Sequence, residues 1–122
     1  MADASGFEGT WSRINVFLPI NTAQERLAAA RAIRVVSHLY GGATHSTLRP
    51  HTFVGYWWDG EAGQWVRDEQ CWLTADAPYP IGREELAEDV ELIKLEVLDL
   101  YDRVGSPQQV VWIMVYQEWR AS

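Results

Sequence analysis

Two hydrophobic rhythms alternate along the chain, a period of two that marks strands and a period between three and four that marks helices. From Trp11 to Leu18 the pattern alternates, with Ile14, Val16 and Leu18 on one face and Trp11, Arg13, Asn15 and Phe17 on the other, which predicts a strand. Thr22, Ala23, Gln24 and Glu25 then have the form of a capping box, in which the threonine hydroxyl and the glutamate carboxylate satisfy backbone N–H groups that a helix start leaves without partners. Leu27, Ala30, Ile33, Val36 and Tyr40 follow at helical spacing, and Gly41-Gly42 supplies the left-handed backbone that ends a helix.

Residues 52–58 and 64–74 are rich in aromatic and β-branched types, and Asp59-Gly60-Glu61-Ala62-Gly63 between them reads as the turn of a hairpin. Pro78-Tyr79-Pro80-Ile81-Gly82 interrupts the alternation. A second helix follows, with Glu84 and Glu85 at the end where the helix dipole favours negative charge. Its buried stripe is Leu86, Val90, Ile93, Val97, Leu100 or Tyr101, and Val104; Gly105 stops it, and Val110 to Trp119 is the last strand. The order strand, helix, strand, strand, helix, strand predicts an α+β domain of ferredoxin-like βαββαβ topology, a four-stranded antiparallel sheet with two helices on one face. Right-handed crossovers place the first and third strands centrally and leave the other sheet face without helices. Trp112, Met114 and Tyr116 of the last strand and Trp11 and Phe17 of the first are expected to share that open face.

Composition supports one domain: 122 residues, 48% apolar and 22% charged. Residues 11–122 are read as that domain and residues 1–10 as a flexible tail that lacks the order of a signal peptide. No apolar run is long enough to cross a bilayer, so no membrane association is expected and the cytoplasm is the expected location. A lone Cys71 leaves no cysteine pair for a disulfide, zinc or redox site. The formal charge of −7 opposes nucleic-acid binding, which needs segregated positive charge, and the glycine-aromatic signature of RNA-recognition sheets is absent. Charge does separate by helix. Arg26, Arg31 and Arg34 face Glu25 alone in the first, whereas Glu84, Glu85, Glu88, Asp89, Glu91, Glu96, Asp99 and Asp102 outnumber Arg83, Lys94 and Arg103 around the second. Such helices attract each other side by side, or the acidic one offers a surface to a basic partner.

Candidate chemistry concentrates after Gly42, where Thr44, His45, Ser46, Thr47, Arg49 and His51 follow one another closely. Histidine titrates near neutrality and arginine holds anions, so His45 or His51 as acid-base group, Arg49 as anion anchor and Glu69 as a second acid form the catalytic alternative. No HxH, HExxH or CxxC spacing is present, nor a glycine-rich nucleotide loop or nucleophile elbow, so neither metal nor cofactor is expected and a non-catalytic role is favoured. Ligand-binding candidates are His45, Arg49, His51 and Glu69 with Tyr56, Trp58, Trp112 and Tyr116, where either Tyr56 and Trp58 or Trp57 face the open sheet. Interface candidates are Trp11, Phe17 and Met114 on that face and Leu92, Leu95 and Leu98 on the second helix, Leu95 lying opposite the buried stripe. A large apolar patch left in water is an association site, so a homodimer or higher homo-oligomer is expected.

A helix ending in Gly41-Gly42 with Thr44 close behind, a strand carrying Gly55 and Trp57, and a hairpin with Gly63 followed by Glu69 resemble small uncharacterised bacterial and phage proteins of ferredoxin-like topology. The resemblance covers roughly residues 12–118 in layout and departs from it at the longer His/Arg loop between Thr44 and Gly55. It implies the fold and brings no catalytic residues with it. The expected function is a non-catalytic, self-associating domain that binds a small molecule or protein partner through its open aromatic face and residues 44–51. Two alternatives stand beside it: a small homodimeric enzyme with a His/Arg acid-base site at the same place, and an acidic protein that blocks a partner's basic surface.

Overall fold

A computed structural model describes residues 7–49 and 53–121. Its elements are β1 (Phe7–Pro19), α1 (Ala23–Tyr40), β2 (Thr44–His45), β3 (Val54–Asp59), β4 (Gln64–Ala77), α2 (Glu84–Arg103) and β5 (Trp112–Ala121). β1 begins inside the segment read from sequence as a tail, and residues 1–6 of that tail lie outside the described residues.

The helix boundaries follow from local chemistry. Thr22 Oγ1 accepts the Glu25 N–H at 3.1 Å, and Glu25 Oε1 accepts the Asn21 N–H at 2.9 Å, so the first turn of α1 is capped from both directions. Gly41 ends the helix at φ 74°, a backbone that costs a side-chain-bearing residue steric strain. In α2 the acidic first turn of Glu84 and Glu85 lies at the positive end of the helix dipole.

The four-stranded ferredoxin-like sheet expected from sequence is not what forms. Among the described residues the sheet has five antiparallel strands, with β2, β4, β1 and β5 side by side and β3 also on β4. β4 is long enough for its outer edge to serve two short strands: Leu73 and Thr74 pair with β2, and Gln64–Glu69 pair with β3. The segment that leaves β2 carries the polar Ser46, Thr47 and Arg49, and the chain rejoins β4 at β3. The edge that the simple topology assigns to one strand is therefore divided. The coarser class stands: α+β, with α1 and α2 packed together on one face.

The core lies between that helix layer and the sheet. Ile14, Val16 and Leu18 of β1 and Cys71, Leu73, Ala75 and Ala77 of β4 meet Ala28, Ala29, Ala32 and Val36 of α1 and Leu86, Ile93, Val97, Leu100 and Tyr101 of α2. Small residues on α1 let it approach the sheet closely, while α2 supplies the volume. Tyr101, fully buried, donates its hydroxyl to the Pro19 carbonyl at 2.6 Å. Glu25 Oε2 accepts the Ser106 hydroxyl at 2.7 Å, which ties the turn after α2 to the start of α1. No helix among the described residues is long and apolar enough to cross a membrane.

Cys71 is enclosed in this core, with its thiol directed at the Ser46 carbonyl at 3.4 Å, and burial pushes the thiol above its ordinary pKa. Only the thiolate reacts with disulfide reagents. The folded protein is expected to show no thiol titre at neutral pH within minutes and one full equivalent after denaturation; rapid labelling of the native protein would contradict the packing described.

Candidate functional site

Strand register fixes which side chains share the open face. Across β5, β1 and β4 the rows are Trp112, Phe17 and Trp72; then Met114, Asn15 and Thr74; then Tyr116, Arg13 and Asp76. The face therefore grades from aromatic at one end to charged at the other. Phe53 joins the aromatic end, 5.4 Å from Trp72 and 6.2 Å from Phe17 between ring centroids. Asn15 in the middle row is buried and accepts the Thr74 hydroxyl at 2.8 Å. At the charged end Arg13 bridges Asp76 at 3.1 Å and Glu118 at 3.2 Å, with Trp11 opposite Glu118 on β5.

A cavity of about 680 Å³ opens at the aromatic end. Its walls are Phe17 and Pro19 of β1, Gly55, Tyr56 and Trp57 of β3, Asp68 and Gln70 of β4, and Pro107–Val110 with Trp112 at the start of β5. Two carboxylate contacts orient the β3 wall: Trp57 Nε1 donates to Asp68 Oδ2 at 2.7 Å, and Asn21 Nδ2 donates to Asp68 Oδ1 at 3.3 Å. The 107–110 wall is anchored through Gln108, whose Nε2 donates to the Ser106 carbonyl at 3.1 Å. Apolar rings with a few convergent polar groups are the composition of a small-molecule site.

Gly55 has a specific part in this wall. A Cβ built there would come within 3.3 Å of Gln70 Nε2, so the glycine leaves the space in which the Gln70 amide lies. Gly55→Ala is expected to change stability by less than about 1 kcal/mol, because alanine removes glycine's backbone freedom and meets only the end of a flexible side chain. It should instead displace Gln70, which an NMR spectrum would register as a shift of the Gln70 side-chain amide resonances. An unmoved amide would show that the glycine leaves no needed space.

The residues singled out from sequence do not all meet here. Trp112 lines the cavity, and Tyr116 lies on the same face two rows away, beside Arg13. Tyr56 pairs across the strands with Arg67, and Trp58 with Trp65, which places those side chains on the helix side of the sheet; Trp57 is the β3 ring on the open side. Tyr56 nevertheless borders the cavity, between Gly55 and Trp57. Glu69 also faces the helix side, nearly buried, where Oε1 accepts from Arg67 at 3.1 Å and its N–H donates to Asn21 Oδ1 at 2.8 Å. His45 is exposed on β2 with Nδ1 at 2.6 Å from the Ser46 carbonyl, and Arg49 is exposed with its N–H on Thr47 Oγ1; neither is among the cavity walls. His51 lies outside the described residues. On α2, Leu92 and Leu95 are exposed and Leu98 is half-buried. Among the described residues no group of three or more histidine, cysteine, aspartate or glutamate side chains could hold a metal ion.

Asp68 and Gln70 were not among the ligand-binding candidates read from sequence, and Trp57 stood there only as the alternative to Tyr56 and Trp58. A partial signal existed: parity with the apolar Cys71 and Leu73 along one strand sends Asp68 and Gln70 to the opposite face, whereas placing Trp57 needed the pairing of β3 with β4. The Pro107–Val110 wall had no such signal, since a tertiary contact with α1 positions it.

No protein-family model matches this chain, and no curated protein matches it. Among solved structures the chain is similar to a phage SAM lyase determined in complex with S-methyl-5′-thioadenosine, at 11% sequence identity over 94% of this chain and 92% of that one, with a TM-score of 0.59. At that identity the likeness is one of fold.

Proposed function

We propose that this chain is a self-associating binding domain whose open sheet face takes an adenosine thioether, with the base between Trp57 and Trp112. The cavity at the aromatic end of the sheet carries this reading. Its volume of about 680 Å³ suits a nucleoside, its rings offer a stacking platform, and Gln70, Gln108 and Gln109 supply amide donors and acceptors for a base edge. The thioether class is suggested by the ligand of the phage protein that shares the fold. Self-association is supported by the exposure of Trp112, Met114 and Tyr116, a patch of a kind that monomers seldom leave in water. Isothermal titration with S-methyl-5′-thioadenosine tests the ligand: saturable binding is expected, and no heat or spectral change at millimolar ligand would overturn it.

A second reading, turnover of SAM itself, is favoured by the name of that structural neighbour alone. It separates from pure binding in one assay, in which SAM is supplied and S-methyl-5′-thioadenosine is sought by mass spectrometry. Product formed in proportion to protein would favour the enzyme, and binding without product the domain proposed above.

A further inference from the structure

We propose that β5 pairs with β5 of a second copy, antiparallel about a two-fold axis at Met114, so that two five-stranded sheets join into one. The proposal deepens the self-association reading above and rests on it.

β5 is the end strand of the sheet. It pairs with β1 along one edge, and among the described residues no strand pairs along the other. Such an edge presents a row of backbone N–H and C=O groups ready for another strand. Native sheets guard their edges with prolines, charges, bulges or very short strands. Of the 10 residues of β5, the first six, Trp112–Gln117, contain no charge, proline or glycine; Glu118, Arg120 and the irregular register opposite Glu8–Trp11 guard only its far end. An uncharged apolar run on a free edge is also the signature of an aggregation-prone segment, a hazard that a specific partner strand removes.

The sequence of the strand indicates which partner. Trp112-Ile113-Met114-Val115-Tyr116 is symmetric in residue class about its centre: aromatic, β-branched, methionine, β-branched, aromatic. An axis at Met114 sets that residue against its own copy, Trp112 against the partner's Tyr116, and Ile113 against the partner's Val115. The aromatic pairs fall on the open face, where Trp112, Met114 and Tyr116 are 68%, 53% and 43% exposed in one chain. Cross-strand pairs of this kind are the stabilising unit of a sheet. Electrostatics agree: copies carrying −7 each repel, yet this register puts Glu118 against the uncharged Val110 of the partner subunit. A strand from an unrelated protein has no need of that symmetry.

Amide hydrogen exchange on the full chain, at a concentration where native mass spectrometry finds an oligomer, tests the pairing without any substitution. All amides from Trp112 to Tyr116 are expected to be protected to within about tenfold of Ile14–Phe17 on β1; a free edge leaves every second one exchanging as fast as a loop. A cysteine scan supplies the second measurement. Met114→Cys is expected to form a copy-to-copy disulfide under mild oxidation while Trp72→Cys, on the same face but on β4, does not. Face-to-face stacking of the open sheets brings position 72 within reach of the partner, which edge pairing never does because β4 lies two strands in from β5, and it leaves alternate β5 amides unprotected. A monomer at every concentration would overturn both self-association and this pairing. An oligomer with alternate β5 amides unprotected, or with cross-linking at position 72 instead of 114, would overturn this pairing alone.

Discussion

Tyr101→Ala is expected to cost about 3–5 kcal/mol of folding stability, the range for removing a large ring from a core. The ring is fully buried on α2, and its hydroxyl holds the carbonyl of Pro19 where β1 leaves the sheet. Small domains are stable by only about 5–15 kcal/mol, so this variant should be close to unfolding at 37 °C, which a thermal or urea melt will register. Tyr101→Phe keeps the ring and leaves the Pro19 carbonyl without its donor, a loss of about 1–3 kcal/mol. The two variants separate packing from the hydrogen bond.

The same residue predicts alkaline unfolding. Burial, then the nearby Glu25 charge, pushes the Tyr101 phenol above its ordinary value, and burial followed by Asp89 does the same to Tyr40, whose hydroxyl donates to Asp89 at 2.9 Å. A group with its folded pKa raised contributes stability that is intact below its unfolded pKa, about 10 for tyrosine, and is lost as pH rises beyond it. Stability should therefore be flat with respect to these phenols near neutrality and fall steeply above about pH 10. Tyr101→Phe should fall less steeply there, measured by urea melts across that interval. Equal slopes for the two proteins would show that the buried phenol does not carry the transition.

Trp112→Ala is expected to lower affinity for S-methyl-5′-thioadenosine by about 5- to 150-fold, the equivalent of the ~1–3 kcal/mol that stacking a base on an aromatic ring contributes. Its far-UV circular dichroism should be unchanged, since the ring is 68% exposed in one chain and little core is lost. Trp58→Ala is the matched control. Trp58 lies two strand positions from Tyr56 on the helix side, stacked edge-on with Trp65 at 5.5 Å, and its loss should leave affinity unchanged. If Trp58→Ala is the damaging change and Trp112→Ala the silent one, the ligand lies on the opposite face of the hairpin and the cavity proposal is wrong.

Much of the chain's organisation could be read locally. The capping box of Thr22 and Glu25, the Gly41 stop, the Asp59–Gly63 turn and the α2 stripe are each set by contacts within a few residues, and their counterparts are present in the structure. The sheet was less legible. Counting strands from period-two runs finds neither the two-residue β2 nor the division of one edge between β2 and β3, because so short a strand exists only through its pairing with β4. The candidate site was legible only in part. Trp112 could be placed by alternation along its own strand, whereas choosing between Trp57 and its neighbours required the register against β4, where a one-residue slip exchanges the two faces.

Periodicity, caps and net charge are properties of neighbouring residues, and they make an α+β chain with two helices of opposite charge balance and an uncovered aromatic sheet face legible from the letters of the chain. The remaining features come from contacts between distant segments. Pairing across the sheet chose Trp57 over Trp58 for the open side and divided one edge of β4 between β2 and β3. A hydrogen bond between Glu25 and Ser106, 81 residues apart, set the loop that closes the cavity. Those outcomes depend on which distant backbone groups meet, and no local pattern in the chain encodes that choice.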